Sequence, residues 1–184
     1  MKKNKSSKSG IESLAKDKNL LVKNIHPIYV ILENIRSLYN VGAIFRTSDG
    51  AGVKKIFLCG ITGCPPKAEI TKTALSAEEN VDWEYTEEAS DIIAELKKKG
   101  VQIVGVEITK DAENYWDAEI KFPVCLIFGN ETEGISDETL ALCDKKIFVP
   151  MYGKKESLNV EAAFSTVTYE ICRKYLNKKS NEKG

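Results

Sequence analysis

Three segments in the C-terminal half place glycine, carboxylate, amide and hydroxyl residues where apolar runs end. They are Phe128-Gly129-Asn130-Glu131-Thr132-Glu133-Gly134-Ile135-Ser136, then Ile147-Phe148-Val149-Pro150-Met151, then Ser157-Leu158-Asn159-Val160. A fourth segment upstream, Asn40-Val41-Gly42-Ala43-Ile44-Phe45-Arg46, supplies one reactive-looking cation. Ligands of open α/β sheets bind at the carboxyl ends of strands. Three such ends close together in sequence predict a small-molecule pocket built largely from backbone groups. Glycine at position 129 lets a ligand approach the main chain and tolerates positive φ. Ser157 or Asn159 reads as the N-cap of a closing helix whose start faces a polar ligand. Neither has a neighbouring base, and the one histidine, His26, lies in another region, so hydrolase chemistry of the Ser-His-Asp type is disfavoured. No G-x-G-x-x-G follows the first apolar run, which argues against a dinucleotide-binding domain. Arg46 alone reads as a surface charge. Coupled to the three loops, it becomes the best candidate to meet a phosphate or a ribose hydroxyl.

The elements that must position these residues follow from apolar periodicity. Strands are expected over 28–32, 55–59, 101–108, 124–128 and 146–149, with a weaker one over 81–85. Asn40 reads as the cap of a helix that carries Ala43, Ile44 and Phe45 and ends at Gly50 and Gly52. A short helix is expected over 69–75 and an amphipathic one over 87–99, with Gly100 at its C′ position. Ser136 is the expected cap of another helix, with Asp137 and Glu138 near its positive end. A long helix over 158–176 closes the chain. Strands alternating with helices predict an α/β fold, a mostly parallel sheet with helices on both faces.

With 184 residues, one domain with a real core is expected. No apolar run approaches the ~20 residues that span a bilayer, and the basic N-terminus lacks the apolar stretch of a secretory signal. Five cysteines without a C-x-x-C pair, beside one histidine, read as reduced side chains of a cytoplasmic protein, with no metal site. Net charge is zero but uneven. Residues 1–23 carry seven lysines against two acids, and residues 171–184 carry five basic residues against one acid. Basic ends on an acidic body suit a polyanion reached by flexible arms, or simply a solvated tail.

Together the four segments resemble the SpoU (TrmH) family of RNA ribose 2′-O-methyltransferases. Asn40, Gly42, Ile44 and Arg46 match its first motif. Gly129, Glu131, Gly134, Ile135 and Ser136 match the second. Ile147, Val149, Pro150, Met151, Ser157, Leu158, Asn159 and Val160 match the third. The similarity covers roughly residues 26–176. One departure is Glu161-Ala162-Ala163, where many relatives carry a small first residue, a change expected to adjust the pocket edge.

The resemblance implies a C-terminal deep trefoil knot and S-adenosylmethionine (S-adenosyl-L-methionine) as methyl donor. It also implies tRNA or rRNA as substrate, and a homodimer with sites at its interface. It assigns catalysis to Arg46, Asn40, Glu131, Ser157 and Asn159. It assigns the donor pocket to Leu126, Phe128, Gly129, Asn130, Gly134, Ile147, Pro150, Met151, Ser157, Leu158 and Asn159. Residues 26–177 would form the methyltransferase domain, preceded by a basic extension over 1–25 and followed by a basic tail over 178–184. Phe45, Phe164 and Tyr169 are candidates for a two-fold contact or for the monomer core. Two alternatives stay open: a non-catalytic RNA-binding protein of the same fold, and a knotted enzyme methylating a base nitrogen.

Overall fold

Near-continuous apolar runs become strands here because both faces of each are covered. The structure, a computed structural model, describes residues 25–182, so residues 1–24 of the expected extension lie outside the described residues. In chain order the elements are β1 (Ile28–Glu33), α1 (Leu38–Ala51), β2 (Lys55–Cys59), α2 (Ala68–Ala74), β3 (Trp83–Thr86) and α3 (Ala89–Lys98). They continue with β4 (Gln102–Val106), β5 (Glu113–Asn114), β6 (Val124–Phe128), α4 (Asp137–Ala141), β7 (Lys145–Phe148) and α5 (Val160–Asn181). The seven strands run in the order β3-β2-β1-β6-β4-β7-β5. The expectation was a mostly parallel sheet; every pairing is parallel.

Alternation along each strand feeds two cores. Val30 and Leu32 of β1 and Val124 and Leu126 of β6 pack with Ile44 and Phe45 of α1, Ile70 of α2 and Phe164 and Val167 of α5. Ile31, Cys125 and Ile127 point the other way, onto Ile92, Ile93 and Leu96 of α3. Helices therefore cover both faces. Phe45 and Phe164 are fully buried in the first core, where Phe164 meets Phe128 edge to face at 5.2 Å. Their reading as two-fold contacts is corrected, and of the three candidates only Tyr169 is exposed.

Several boundaries shift for local reasons. Ser37, not Asn40, caps α1, its side chain accepting from Asn40 N at 3.3 Å. Asn40 is thereby freed for a contact elsewhere. β4 stops at Val106 because the Glu107 carboxylate accepts the next amide, Ile108 N, at 2.9 Å. The chain then returns to pair Glu113 and Asn114 with β7, a two-residue strand too short to carry a pattern. α5 continues to Asn181, so residues 178–181 of the expected tail are helical. Lys178 and Lys179 sit in its last turn, near the negative helix end. Among the described residues, no helix is long and apolar enough to cross a membrane. The five cysteines are unpaired, and burial pushes the Cys59 thiol up to about 12.

Gly42 has a packing reason for being glycine. A β-carbon there would stand 2.1 Å from Thr73 Oγ1 and 2.3 Å from the Ile70 carbonyl oxygen, where α1 crosses α2. Backbone cannot yield as a side chain can. Gly42→Ala should therefore cost about 1–3 kcal/mol, lowering the melting temperature by roughly 2–10 °C for a chain of this size. An unchanged melting curve would contradict close α1–α2 packing.

Candidate functional site

The chain places β1, β2 and β3 toward one edge, then fills the other side of the sheet with the later strands. A cavity of about 390 Å³ opens beyond the carboxyl ends of β4, β6 and β7. That volume and position suit a small molecule. Val106, Phe128, Val149, Leu158 and Ala163 give it apolar wall, and Glu107, Asn130, Glu131, Thr132, Ser157 and Asn159 give it polar groups.

The loop after β6 is built by its own residues. Asn130 and Gly134 exchange two backbone hydrogen bonds, each 2.9 Å. Asn130 Oδ1 accepts from Thr132 N and Glu133 N, while its Nδ2 donates to the Asn34 carbonyl at 2.9 Å. Gly134 has φ +73°, which favours glycine. Gly129 lines the cavity without a positive φ, and it has a packing reason too. A β-carbon there would meet the Gly134 carbonyl and the Ile135 amide at 2.2–2.3 Å, so the loop itself excludes a side chain before any ligand does.

Glu131 ties this loop to the start of α1. Its carboxylate accepts from Arg36 N at 2.9 Å, Ser37 N at 3.0 Å and Asn40 Nδ2 at 3.0 Å. Asn40 Oδ1 in turn accepts from Asn159 Nδ2 at 3.3 Å, and Asn159 Oδ1 caps α5 by accepting from Glu161 N. One residue from each of the three motifs is thus joined in a single chain of hydrogen bonds. Burial pushes the Glu131 carboxyl up, but the Arg36 and Ser37 amides and the Asn40 side chain more than offset this, holding it below the ordinary value.

Not every expected residue reaches the cavity. Phe128, Gly129, Asn130, Gly134, Ser157, Leu158 and Asn159 line it, with Glu131. Leu126 and Ile147 do not: both are fully buried within the sheet, and Leu126 is two residues short of the strand end. Pro150 and Met151 stand outside the lining, beyond Phe148 and Val149.

Arg46 also lies elsewhere. It is exposed in a second cleft, beside Thr47, Lys72, Glu161 and Tyr169, with no hydrogen bond or ion pair to the described residues. Glu161, the departure from the family pattern, faces this cleft rather than the first cavity. Its carboxylate accepts from Thr47 Oγ1 at 3.2 Å and Ser165 Oγ at 2.8 Å.

Two carboxylates escaped sequence reasoning. Glu107 Oε2 accepts from Ile135 N at 3.1 Å, bracing the β6 loop against β4 beside the cavity. Glu33, 7% exposed, accepts from Ser136 N, Ser136 Oγ and Thr139 Oγ1 at 3.0, 2.9 and 2.6 Å, holding the N-terminus of α4. Ser136 caps that helix as expected. The signal was available: each acid stands at or just past the end of an apolar run. Among the described residues, no group of three or more His, Cys, Asp or Glu could hold a metal.

The model of the SpoU rRNA Methylase family matches residues 27–169. The chain is 31% identical over 159 residues to a tRNA (guanosine(18)-2′-O)-methyltransferase of Aquifex aeolicus, covering 85% of this chain and 74% of that one. It superposes on a solved TrmH/SpoU tRNA modifying enzyme from A. aeolicus with a TM-score of 0.78 at 30% identity, covering 92% and 85% of the two chains. An AdoMet-bound rRNA methyltransferase from Sinorhizobium meliloti gives 0.76 at 28% identity, covering 84% of this chain and 60% of that one.

The Glu131 junction makes a pH-dependent prediction. Because its folded carboxyl lies below the ordinary 4.5, its contribution to stability is complete above about pH 4.5 and is lost as the pH falls through the lower folded value. Glu131→Gln should melt below the parent at neutral pH, with the deficit shrinking in acid. Thermal unfolding followed from neutral pH to about pH 3 checks this, and a constant deficit would place the effect outside the carboxylate.

Proposed function

The chain belongs to the SpoU rRNA Methylase family, and we propose that it uses the β4–β6–β7 cavity to methylate a ribose 2′-hydroxyl of RNA. The observation that carries this reading is the hydrogen-bonded union of Glu131, Asn40 and Asn159 beside that cavity. The activity is S-adenosylmethionine-dependent transfer to tRNA or rRNA, in line with the names of the family's tRNA and rRNA enzymes and with the AdoMet-bound relative. The cavity suits this donor chemically. Phe128, Leu158, Val106 and Val149 offer a face to an aromatic base, while Glu107, Ser157 and exposed backbone groups offer partners to hydroxyl and amino groups.

When bound, the donor supplies a methyl group on a sulfonium that is its own leaving group, so the protein's task is alignment and charge control. Arg46 is the proposed catalytic cation. A guanidinium stays protonated, so its role is to hold a backbone phosphate and stabilise charge growing on the 2′-oxygen. The proton then passes to phosphate or water. Asn40, Glu131 and Asn159 act through the backbone they fix, and Ser157 presents its hydroxyl at the cavity wall.

We further propose the trefoil knot, the homodimer and a cytoplasmic location. The knot is supported by family membership and by a superposition that covers nearly the whole chain. The dimer is supported by Arg46 standing in a cleft of its own, away from the cavity that its motif partners serve. Arg46 of one subunit would then complete the cavity of the other. Residues 26–177 form the proposed catalytic unit.

Labelled methyl donor, total tRNA and rRNA, and digestion to nucleosides test the reaction. A 2′-O-methylnucleoside is expected. A base-methylated product would favour a knotted base methylase, and no product a non-catalytic RNA-binding protein. The shared site is tested by mixing Arg46→Ala chains with Asn159→Ala chains, each inactive alone. One competent site per mixed dimer should return. No recovery would mean self-contained sites.

A further inference from the structure

Beside the cavity, on the β7–β5 edge of the sheet, two aromatic rings lie nearly parallel in solvent. Trp116 is 47% exposed and Tyr152 is 82% exposed. Their centroids are 6.4 Å apart and their planes differ by 16°. The other near-parallel ring pair among the described residues, Tyr29 with Phe57, has a buried member. Large exposed rings forfeit burial, and a stacked pair with both rings in water is a surface looking for a flat partner.

The pair is held in place from both sides. The Tyr115 amide donates to the Phe148 carbonyl at 3.1 Å, fixing this turn to the end of β7. Lys174 Nζ donates to the carbonyls of Trp116 and Ala118, each at 2.8 Å, and the Trp116 amide donates to Asn114 Oδ1 at 3.1 Å. Tyr115, buried, backs the Trp116 ring at 5.2 Å. The tryptophan therefore stands on a pinned backbone, and Tyr152 reaches it from the loop that leads into Ser157, Leu158 and Asn159 on the cavity wall. That same loop carries Lys154 and Lys155, both exposed, against one acid, Glu156.

We propose that Trp116 and Tyr152 form a stacking platform for an unpaired nucleobase of the RNA substrate, next to the nucleotide being methylated. The inference rests on the RNA reading above. Unpaired bases stack on exposed aromatic side chains irrespective of sequence, and the two lysines suit the adjoining phosphates. The platform is distinct from the donor cavity, since neither ring is among its walls. It would take a flanking base and so help select single-stranded or loop regions.

The chain has two tryptophans, so a Trp83→Phe background leaves Trp116 as the sole indole emitter. A short oligoadenylate should quench that emission, whereas a base-free ribose-phosphate chain of equal length should not. Trp116→Ala and Tyr152→Ala should each weaken oligoadenylate binding roughly ten-fold, and raise KM for RNA with kcat and donor affinity kept. Trp116→Phe and Tyr152→Phe should retain most of the binding. Absent quenching with unchanged RNA affinity would overturn the platform. So would conversion of a dimer to monomers by Trp116→Ala on size-exclusion chromatography, which would make the pair a subunit contact. Quenching and binding are read without methyl transfer, so intact quenching with no methylated ribose would sink the proposed reaction and leave the platform standing.

Discussion

One carboxylate holds the site together. Glu131 accepts two main-chain amides from the turn that joins β1 to α1 and the side-chain amide of Asn40 in the first turn of α1. Those two amides belong to the turn that must leave the sheet before α1 can begin, where helical partners are not yet available. A charged acceptor near a helix N-terminus also meets the positive end of its dipole. The loop after β6 can therefore take only the path that delivers Glu131 to this point. Its tightness follows: the Asn130–Gly134 bridge and the absence of a β-carbon at Gly129 let the loop fold back on itself. Removing the carboxylate would hand three donors to water at once and untie the loop from the start of α1.

The same device recurs at the neighbouring strand ends. Glu33 gathers Ser136 and Thr139 to fix α4, and Glu107 gathers the Ile108 and Ile135 amides. Three acids, at the end of β1, just past β4 and in the β6 loop, thus gather backbone, hydroxyl and amide donors around one ring of loops. Polar groups at the end of a parallel sheet have no ladder partners left, and carboxylates satisfy several donors each. The cavity is the space these tethers keep open. Its shape depends on main-chain positions that side-chain changes elsewhere do not easily alter.

The elements were legible from apolar patterning and the caps from residue types, while the long-range ties were not. The strands announced themselves because two covered faces require apolar residues at every position. The caps at Ser136 and Asn159 were readable because their side chains act locally. The Asn40 cap was misplaced because its amide is used ninety-one residues away, on Glu131, and no local pattern encodes such a partner. Gly129 was identifiable as a required glycine and Gly42 only as a motif position, yet both also meet close backbone approaches that only the assembled chain reveals. Phe45 and Phe164 looked surplus to one sheet face because the closeness of α1 and α5 to each other is a tertiary fact.

The spacing between Asn40 and Arg46 carries a further constraint. Six residues along a helix of 3.6 residues per turn leave two side chains about 120° apart around the axis. A helix that directs Asn40 to Glu131 and Asn159 therefore directs Arg46 away from them, into the cleft beside Glu161 and Tyr169. Bringing Arg46 round within the same chain would require unwinding a helix whose Gly42 face is locked against α2. It would also break the Glu131 junction at the helix start. A second copy meeting the α1–α5 surface needs neither change. On the proposed dimer the first motif is two-faced: Asn40 braces one chain's cavity loops through Glu131 and Asn159, and Arg46 faces the cleft offered to the partner. On this view the cleft beside α5 and the cavity beyond the strands are two halves of one proposed active site, held rigidly apart in each chain by the same helix.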